Sequence, residues 1–244
     1  MDIQSDQRTA EGLEMPECQS WNEVEKVILE RRSVRKYKNK QVPENVVRRI
    51  LEAGRYAPSA GNYQPWSFIV VRDKEILDEI QSFIRKLCKI VKFFCDWKTS
   101  PLGPVSWVFA QITMRLMPNK MHPTPFGAVF MIADGKLKVF HDAPTVILIL
   151  KDRRGVGKPD IDIGICGQNI VLAAHSLGLG TCWVGFVELI RQMPNWKKRL
   201  GIEYPYEISE AIAVGYPVGH PDGMVPREIH KIGWIEGGIK KFVA

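Results

Sequence analysis

The chain has 244 residues, a net charge of +7 and an ordinary globular composition, with 45% hydrophobic and 25% charged residues. A chain of this length buries roughly three quarters of its unfolded surface on folding, so it can build its own core. A solvated basic surface accounts for the charge, although phosphorylated ligands or nucleic acid would also be attracted. No long run of Lys and Arg alternates with aromatic residues, which disfavours nucleic acid.

Cysteine usage and the chain ends indicate a cellular compartment. The cysteines are odd in number and form no C-x-x-C pair, so neither a zinc site nor an iron–sulfur cluster is indicated. Unpaired thiols fit a reducing compartment. The N-terminus lacks a signal-peptide core, and the apolar stretch 105–117 is shorter than the roughly 20 residues that span a bilayer. We expect a soluble, cytoplasmic protein with no membrane partner. The cysteines are Cys18, Cys88, Cys95, Cys166 and Cys182.

The first helix is expected after a polar arm. Residues 1–19 show no apolar periodicity, and we predict that they form a mobile arm in front of a single domain over residues 20–244. Ser20 and Glu23 have the spacing of a capping box, which predicts a helix start at this point. The apolar pattern of this helix continues up to a cluster of arginines.

Two further helices and a strand follow along the chain. Pro43 opens a helix with one apolar face. Residues 66–71 are rich in β-forming side chains and predict a strand. Asp73 caps a long amphipathic helix. The apolar face of the helix that Pro43 opens contains Val46, Val47, Ile50 and Leu51, and that of the helix that Asp73 caps contains Ile76, Leu77, Ile80, Phe83, Ile84, Leu87 and Val91.

The middle of the chain is irregular. From about residue 95 to residue 126, prolines and tryptophans interrupt any periodic pattern. Residues 128–140 are compatible with two structures: a hairpin around Asp134-Gly135, or a helix followed by a strand.

The second half of the chain alternates strands and helices. Residues 144–150 form a continuous apolar run, which is typical of a strand buried on both faces. Further elements are predicted as a helix over 160–177, a strand over 180–186, a helix over 187–200 interrupted by Pro194, and a last core strand over 208–216. This alternation predicts an α/β fold, in which a central mixed β-sheet is flanked by helices on both faces.

Two polar motifs carry the chemistry. In the first, residues 31–35 (RRSVR), three guanidinium groups and a hydroxyl form a strong anion receptor, because the planar fork of Arg matches phosphate oxygens. In the second, residues 58–66 (PSAGNYQPW), Ser59, Asn62 and Gln64 supply donors and acceptors for the edge of a flat heterocycle. Together they suggest a nucleotide-like cofactor. The structural alternatives are a solvated helix end and a simple polar turn.

A third motif, residues 178–186 (GLGTCWVGF), indicates a helix cap that leads into a buried strand. Gly185 would also let the backbone come close to a flat ring, because glycine has no Cβ. Cys182 lies in this apolar strand, which would raise its pKa and leave the thiol inert. The histidines have no metal-ligand spacing, and His175 falls on a helical pattern as a structural residue. We predict no metal site and no catalytic side chain.

The order of these motifs is similar to that of the FMN-dependent nitroreductase family. The run from Ile28 to Val71 resembles the opening of the family: a helix that ends in Arg-Arg-Ser-x-Arg, an extended segment, a helix, and Pro-Ser-x-x-Asn-x-Gln-Pro-Trp before a strand. The strand GTCWVGF is a third match. The resemblance implies a domain-exchanged homodimer with FMN at the subunit interface, and NADH or NADPH as a transient hydride donor to flavin N5.

The resemblance also assigns roles to residues of this chain. Arg31, Arg32, Ser33 and Arg35 would hold the phosphate, ribityl chain and pyrimidine edge of FMN, with the Arg35 charge stabilising the reduced flavin. Pro58, Ser59, Ala60, Asn62 and Gln64 would line the flavin from the second subunit. The backbone of Cys182, Trp183, Val184 and Gly185 would face the ring; many family members carry an acidic residue in place of Val184. Arg227 would close over the phosphate, with Lys231 as the alternative.

The resemblance therefore implies an FMN-dependent oxidoreductase that uses NAD(P)H to reduce nitroaromatic, quinone or similar electron-poor acceptors in a ping-pong reaction. Residues 95–126 are predicted to cover the cleft and to set acceptor choice. The motifs leave open a related flavoenzyme (an oxygen-dependent dehydrogenase, a reductive dehalogenase or a flavin-fragmenting enzyme) and a non-enzymatic FMN-binding protein. No G-x-G-x-x-G fingerprint is present, which suits a transiently bound nicotinamide.

Overall fold

The computed structural model describes residues 21–95, 103, 105, 108, 123–219, 227–228, 230–237 and 239–243. The chain divides into two compact units: residues 31–221, and residues 1–30 together with 222–244. The predicted arm lies outside the described residues, as does most of the predicted cleft-covering segment. The organisation of the chain into an arm and one domain stays a prediction.

A four-stranded antiparallel sheet forms the centre of the larger unit. Its strands are β1 (Trp66–Val71), β2 (Thr145–Asp152), β3 (Gly180–Val184) and β4 (Tyr206–Gly215), and their spatial order is β1-β2-β4-β3. Helices flank this sheet, which confirms the predicted α/β class. In the described residues, the parallel component of the expected mixed sheet is limited to one isolated bridge between Ser33 and Thr181.

The two faces of the sheet build two apolar cores. Side chains of β2 alternate between them, which explains why its sequence is apolar without interruption. Val146 and Leu148 belong to one core, together with side chains of α3 (Lys74–Cys95) and α4 (Pro123–Ala133). Ile147 and Ile149 belong to the other core, together with α2 (Glu44–Arg55) and α5 (Pro159–Ser176).

Local sequence signals set several helix ends as predicted. Asp73 caps α3, since its Oδ1 accepts hydrogen bonds from the backbone N–H groups of Glu75 at 2.8 Å and Ile76 at 3.3 Å. Pro43 is the residue before α2, and Gly178 follows α5 with a left-handed φ of 73°. These caps were recognisable because each depends on one residue type at one position.

Two stretches differ from the predictions. After α4 the chain forms turns up to Asp142, so neither alternative for residues 128–140 holds in full: the hairpin is wrong, and of the other alternative the helix is right and the following strand is wrong. The helix predicted over 187–200 is split into a 3-10 helix (Gly185–Ile190) and α6 (Pro194–Arg199). Pro194 has no N–H to donate, so it begins a helix instead of continuing one.

The smaller unit contains α1 (Glu23–Glu30) and a hairpin of β5 (Ile232–Glu236) and β6 (Ile239–Val243). Asn22 and Glu25 form the capping box, two residues later than predicted: the Glu25 N–H donates to Asn22 Oδ1 at 2.9 Å, and the Asn22 N–H donates to Glu25 Oε2 at 2.7 Å. Ser20 lies outside the described residues. The sequence does not predict the hairpin, because its described side chains are exposed and show no buried face.

Candidate functional site

The arginine motif lies along the outer edge of β3. The Val34 N–H donates to the carbonyl of Thr181 at 2.8 Å, and the Lys38 N–H donates to the carbonyl of Tyr216 at 2.8 Å. The Val34 side chain is buried against Gly180, where a Cβ would stand 2.7 Å from Val34 Cγ2. Packing at Val34 therefore fixes the backbone from which the neighbouring arginines project.

Arg35 brings a positive charge to the middle of β3. Its guanidinium lies close enough to the thiol of Cys182 to lower the pKa of that group. Burial raises the pKa of Cys182, and the charges of Arg35 and Arg31 oppose this rise only in part. The thiol is therefore protonated at neutral pH, which agrees with the predicted rise in pKa, and the inertness of Cys182 stays a prediction.

Two further side chains near Arg35 are uncharged at neutral pH. Burial raises the pKa of Tyr37 far above its usual value, and the Tyr37 hydroxyl donates to the carbonyl of Val34 at 2.6 Å. Burial, followed by the charge of Arg35, lowers the pKa of His141. Arg35 is exposed, and the neighbouring Tyr37 and His141 do not neutralise its charge because both are uncharged.

The end of β3 presents backbone instead of side chain. Val184 points into the core and Trp183 packs against Gly167 of α5, so neither side chain is free to bind a ligand at this edge. Gly185 is exposed, and the nearest described atom to its absent Cβ, apart from its chain neighbours and its own helix backbone, is Glu210 Oε2 at 3.8 Å. The open space above Gly185 allows a flat group to approach the main chain.

The second motif is a tightly folded loop with unusual backbone angles. Gly61, Asn62 and Gln64 all have a left-handed φ, between 53° and 57°. The Gln64 N–H donates to Ser59 Oγ at 2.9 Å, and Gln64 Nε2 donates to Asn62 Oδ1 at 3.2 Å. Left-handed residues other than glycine cost conformational energy and concentrate at ligand sites. This geometry favours a binding loop over a simple polar turn.

Contacts with the sheet hold this loop in place. The Asp152 N–H at the end of β2 donates to the carbonyl of Pro65 at 2.8 Å, and the Tyr63 hydroxyl donates to Asp152 Oδ2 at 3.4 Å. Pro65 and Trp66 are buried, whereas Asn62 and Gln64 are exposed. The aromatic residue after the loop therefore anchors it, and the amides remain available to a ligand.

The two motifs lie at diagonally opposite corners of the sheet in one chain. Ser33 bridges to β3, which is one edge strand, and the loop leads into β1, which is the other edge strand. The strand spacing separates these edges by roughly 14 Å. Ser33 is level with Thr145 at the start of β2, whereas Trp66 pairs with Lys151 near its end, which adds roughly 20 Å along the strands. One ring cannot contact both corners.

Arg227, the remaining predicted site residue, belongs to the smaller unit and has an exposed side chain, as does Lys231. The choice between them stays a prediction. Sequence reasoning missed Glu210, a half-buried carboxyl beside Gly185. Only the pairing of β3 with β4 brings these two residues together, and no local sequence signal records that register.

Two other kinds of site are not found in the described part of the chain. None of its helices is long and apolar enough to cross a membrane. Its His, Cys, Asp and Glu side chains also form no group of three or more that could hold a metal ion.

The fold and the candidate site define an α/β protein with a cationic edge at β3 and a separate polar loop before β1. The chain belongs to the nitroreductase family, whose model matches residues 28–216. The family predicted from the sequence is thus confirmed.

Known proteins resemble the chain over most of its length. A Methanothermobacter thermautotrophicus protein whose name assigns it to NADH dehydrogenases/NAD(P)H nitroreductases is 30% identical over 218 residues, which cover 87% of this chain and 88% of that protein. The structure of a Desulfitobacterium hafniense nitroreductase with bound FMN aligns with a TM-score of 0.63 at 24% identity, covering 85% of this chain and 96% of that one. A Bacteroides fragilis nitroreductase with bound FMN gives 0.59 at 24% identity, with coverages of 92% and 100%. At this identity the structural likeness shows the fold alone.

Proposed function

We propose that this protein is an FMN-dependent oxidoreductase that takes electrons from NAD(P)H. The observation that carries the proposal is the alignment of the arginine motif along β3, with the exposed main chain of Gly185 just beyond the end of this strand. An anion site beside an open backbone edge suits a cofactor with a phosphate tail and a flat ring. The name of the Methanothermobacter relative supports the same activity.

The chemistry of the described residues fits FMN. Arg31, Arg32 and Ser33 would hold the phosphate and ribityl chain, because guanidinium and hydroxyl donors match their oxygens. Arg35 would stand beside the pyrimidine edge, and its uncancelled charge would favour the reduced, more negative cofactor. FMN, when bound, would pass two electrons from the nicotinamide to an acceptor in alternating half-reactions. Nitroaromatics and quinones are the proposed acceptors.

The separation of the two motifs supports a site shared between two chains. Asn62 and Gln64 precede β1, which lies three strand spacings, or roughly 14 Å, across the sheet from β3, so they are too far away to contact a ring beside Gly185 of the same chain. We propose that the loop of one chain completes the flavin site of a second copy, which makes the functional unit a homodimer. The dimer would then be a requirement for cofactor binding.

The cofactor proposal is tested by the absorbance spectrum of the purified protein. We expect a yellow protein, or a colourless one that becomes yellow with added FMN, and rapid bleaching when NADH or NADPH is added without oxygen. Recovery of the colour on addition of a nitroaromatic or a quinone would then identify the acceptor class. Recovery with oxygen alone would favour an oxygen-using flavoenzyme. A protein that cannot be loaded with FMN would overturn the proposal.

Mixed dimers test the shared site. In a heterodimer of an Arg35→Ala chain and an Asn62→Gly chain, a shared site leaves one of the two FMN sites intact. Glycine is chosen because Asn62 has a φ of 55°, which glycine adopts without strain. We therefore expect one FMN of wild-type affinity per heterodimer, measured with differently tagged, co-expressed chains.

The matched control is a heterodimer of the wild-type chain with an Arg35→Ala/Asn62→Gly chain. A shared site predicts no intact FMN site in this control, because each site receives one substituted half. A site contained within one chain predicts the opposite: no intact FMN site in the first heterodimer and one intact site in the control. That reversal would contradict the shared arrangement while leaving FMN binding itself unaffected.

A further inference from the structure

Glu210 places a carboxyl group at the open backbone edge of the candidate site. It lies on β4 opposite Ile149 of β2, next to a β-bulge, and its side chain is half-buried. Its Oε2 is 3.8 Å from the position that a Cβ of Gly185 would take. The carboxyl therefore borders the space that glycine leaves open above the main chain.

Burial and two nearby carboxylates disfavour the charged form of Glu210, and Arg191 favours it. Glu188 of the 3-10 helix and Asp160 of α5 both raise its pKa, in addition to the larger effect of burial. Arg191 opposes this rise. However, Arg191 is already paired with Glu188 at 2.9 Å, and Lys151, the nearest cation to Asp160, is bound to Asp160 at 2.6 Å. Burial thus dominates, and the carboxyl titrates above its usual range.

We propose that the Glu210 carboxylate couples reduction of the bound cofactor to the uptake of one proton. This inference rests on the proposed function, since it requires FMN beside Gly185. Because burial raises the pKa of Glu210, its carboxyl needs a smaller electrostatic change to bind a proton than an exposed glutamate does. Negative charge added beside Gly185 on reduction supplies that change.

The balance of the coupled step is simple. NAD(P)H would supply a hydride, which is two electrons and one proton, to the cofactor and leave as NAD(P)⁺. The Glu210 carboxylate takes one proton from water, and no bond to carbon is broken at this residue. When an acceptor reoxidises the cofactor, the carboxyl returns its proton to the solvent. Glu210 thus lowers the electrostatic cost of holding the reduced cofactor without contacting the acceptor.

The test is the midpoint potential of the FMN-loaded protein as a function of pH. In the wild type we expect the potential to fall more steeply with pH over the pH range in which Glu210 is ionised in the oxidised protein and protonated in the reduced one. One extra proton per two electrons changes the equilibrium tenfold per pH unit, or about 30 mV. Glu210→Gln should lose this extra slope. The exposed Glu203→Gln, in the loop before β4, is the matched control and should retain it.

A second measurement uses the cofactor-free protein. Folding raises the pKa of Glu210, so its protonated carboxyl stabilises the folded protein at pH values below the ordinary pKa of a glutamate. This contribution is lost as the pH rises through the pKa of Glu210 in the folded protein. Glu210→Gln should therefore gain stability relative to the wild type as pH increases, measured by urea unfolding. Equal pH profiles of potential in both proteins would overturn the inference and leave the proposed function standing. Failure to bind FMN at all would overturn both.

Discussion

Replacement of Arg35 by alanine is expected to raise the dissociation constant of FMN at least tenfold. Hydrogen bonds to charged groups contribute about 1.5–3 kcal/mol each, and 1.4 kcal/mol corresponds to a factor of ten. The effect should be large because Tyr37 and His141, which lie near Arg35, are neutral and leave its charge uncancelled. Fluorescence titration of the cofactor-free protein with FMN gives the constant directly.

Lys36→Ala is the matched control for Arg35→Ala. Lys36 is the next residue, is also exposed and carries the same charge, so its removal changes the net charge equally. We expect less than a threefold change in FMN affinity for this variant, because only the screened long-range field is altered. An equal loss of affinity in both variants would mean that the chain attracts FMN by its general charge. Unchanged affinity in Arg35→Ala would place the cofactor elsewhere.

Gly167→Ala is expected to destabilise the cofactor-free protein by about 1–3 kcal/mol, the range that overpacking of a core typically costs. The Trp183 ring occupies the space that a Cβ at residue 167 would need, and Ile149 Cδ1 is a further 3.1 Å neighbour. The alanine methyl group can be accommodated only if β3 and α5 move apart. Urea unfolding followed by circular dichroism measures the change.

Gly127→Ala in α4 provides the comparison for this substitution. Apart from its chain neighbours and its own helix backbone, its added Cβ meets no atom of the described residues within 4 Å, so we expect up to about 1 kcal/mol of stabilisation from the better helix propensity of alanine. A double variant that combines Gly167→Ala with Trp183→Leu removes the ring responsible for the clash. Its loss of stability should be smaller than the sum of the single losses. Strictly additive losses would show that the Trp183 ring is not the cause.

The packing of Trp183 against α5 also concerns the site, because Val184 and Gly185 directly follow it. The close approach at Gly167 fixes β3 relative to the helix, and so fixes the main-chain edge that faces the proposed cofactor. Substitution at residue 167 should therefore shift the main chain of Val184 and Gly185 through the packing of Trp183 on α5, without contact with any ligand.

Strand β1, the centre of β2 and the caps of α3 and α5 could be predicted, because each depends on a short local pattern. An apolar run such as residues 145–150 indicates a strand buried on both faces wherever it occurs. The strand order and the antiparallel pairing could not be read in this way. They depend on which strands meet across the sheet, and residues 180 and 215 are paired although a long stretch of chain separates them.

The candidate site was predicted to a similar extent. The arginine motif and the loop before β1 were recognisable from their donor groups, and the turn-prone Gly61-Asn62 pair anticipated a tight bend. The left-handed angle of Gln64 was not predictable, because glutamine has no preference for it and contacts with Ser59 and Asn62 hold it there. Glu210 was missed for the same kind of reason, since its relevance depends on a neighbour in another strand.

The diagonal placement of the two motifs determines how chains can combine. Each chain carries one cationic edge and one polar loop, and neither can complete the other within the same molecule. Under the proposed shared site, a pair of chains related by a two-fold axis matches both edges with both loops and leaves no surface for further growth. Two chains therefore form the smallest closed assembly in which every half-site has its complement.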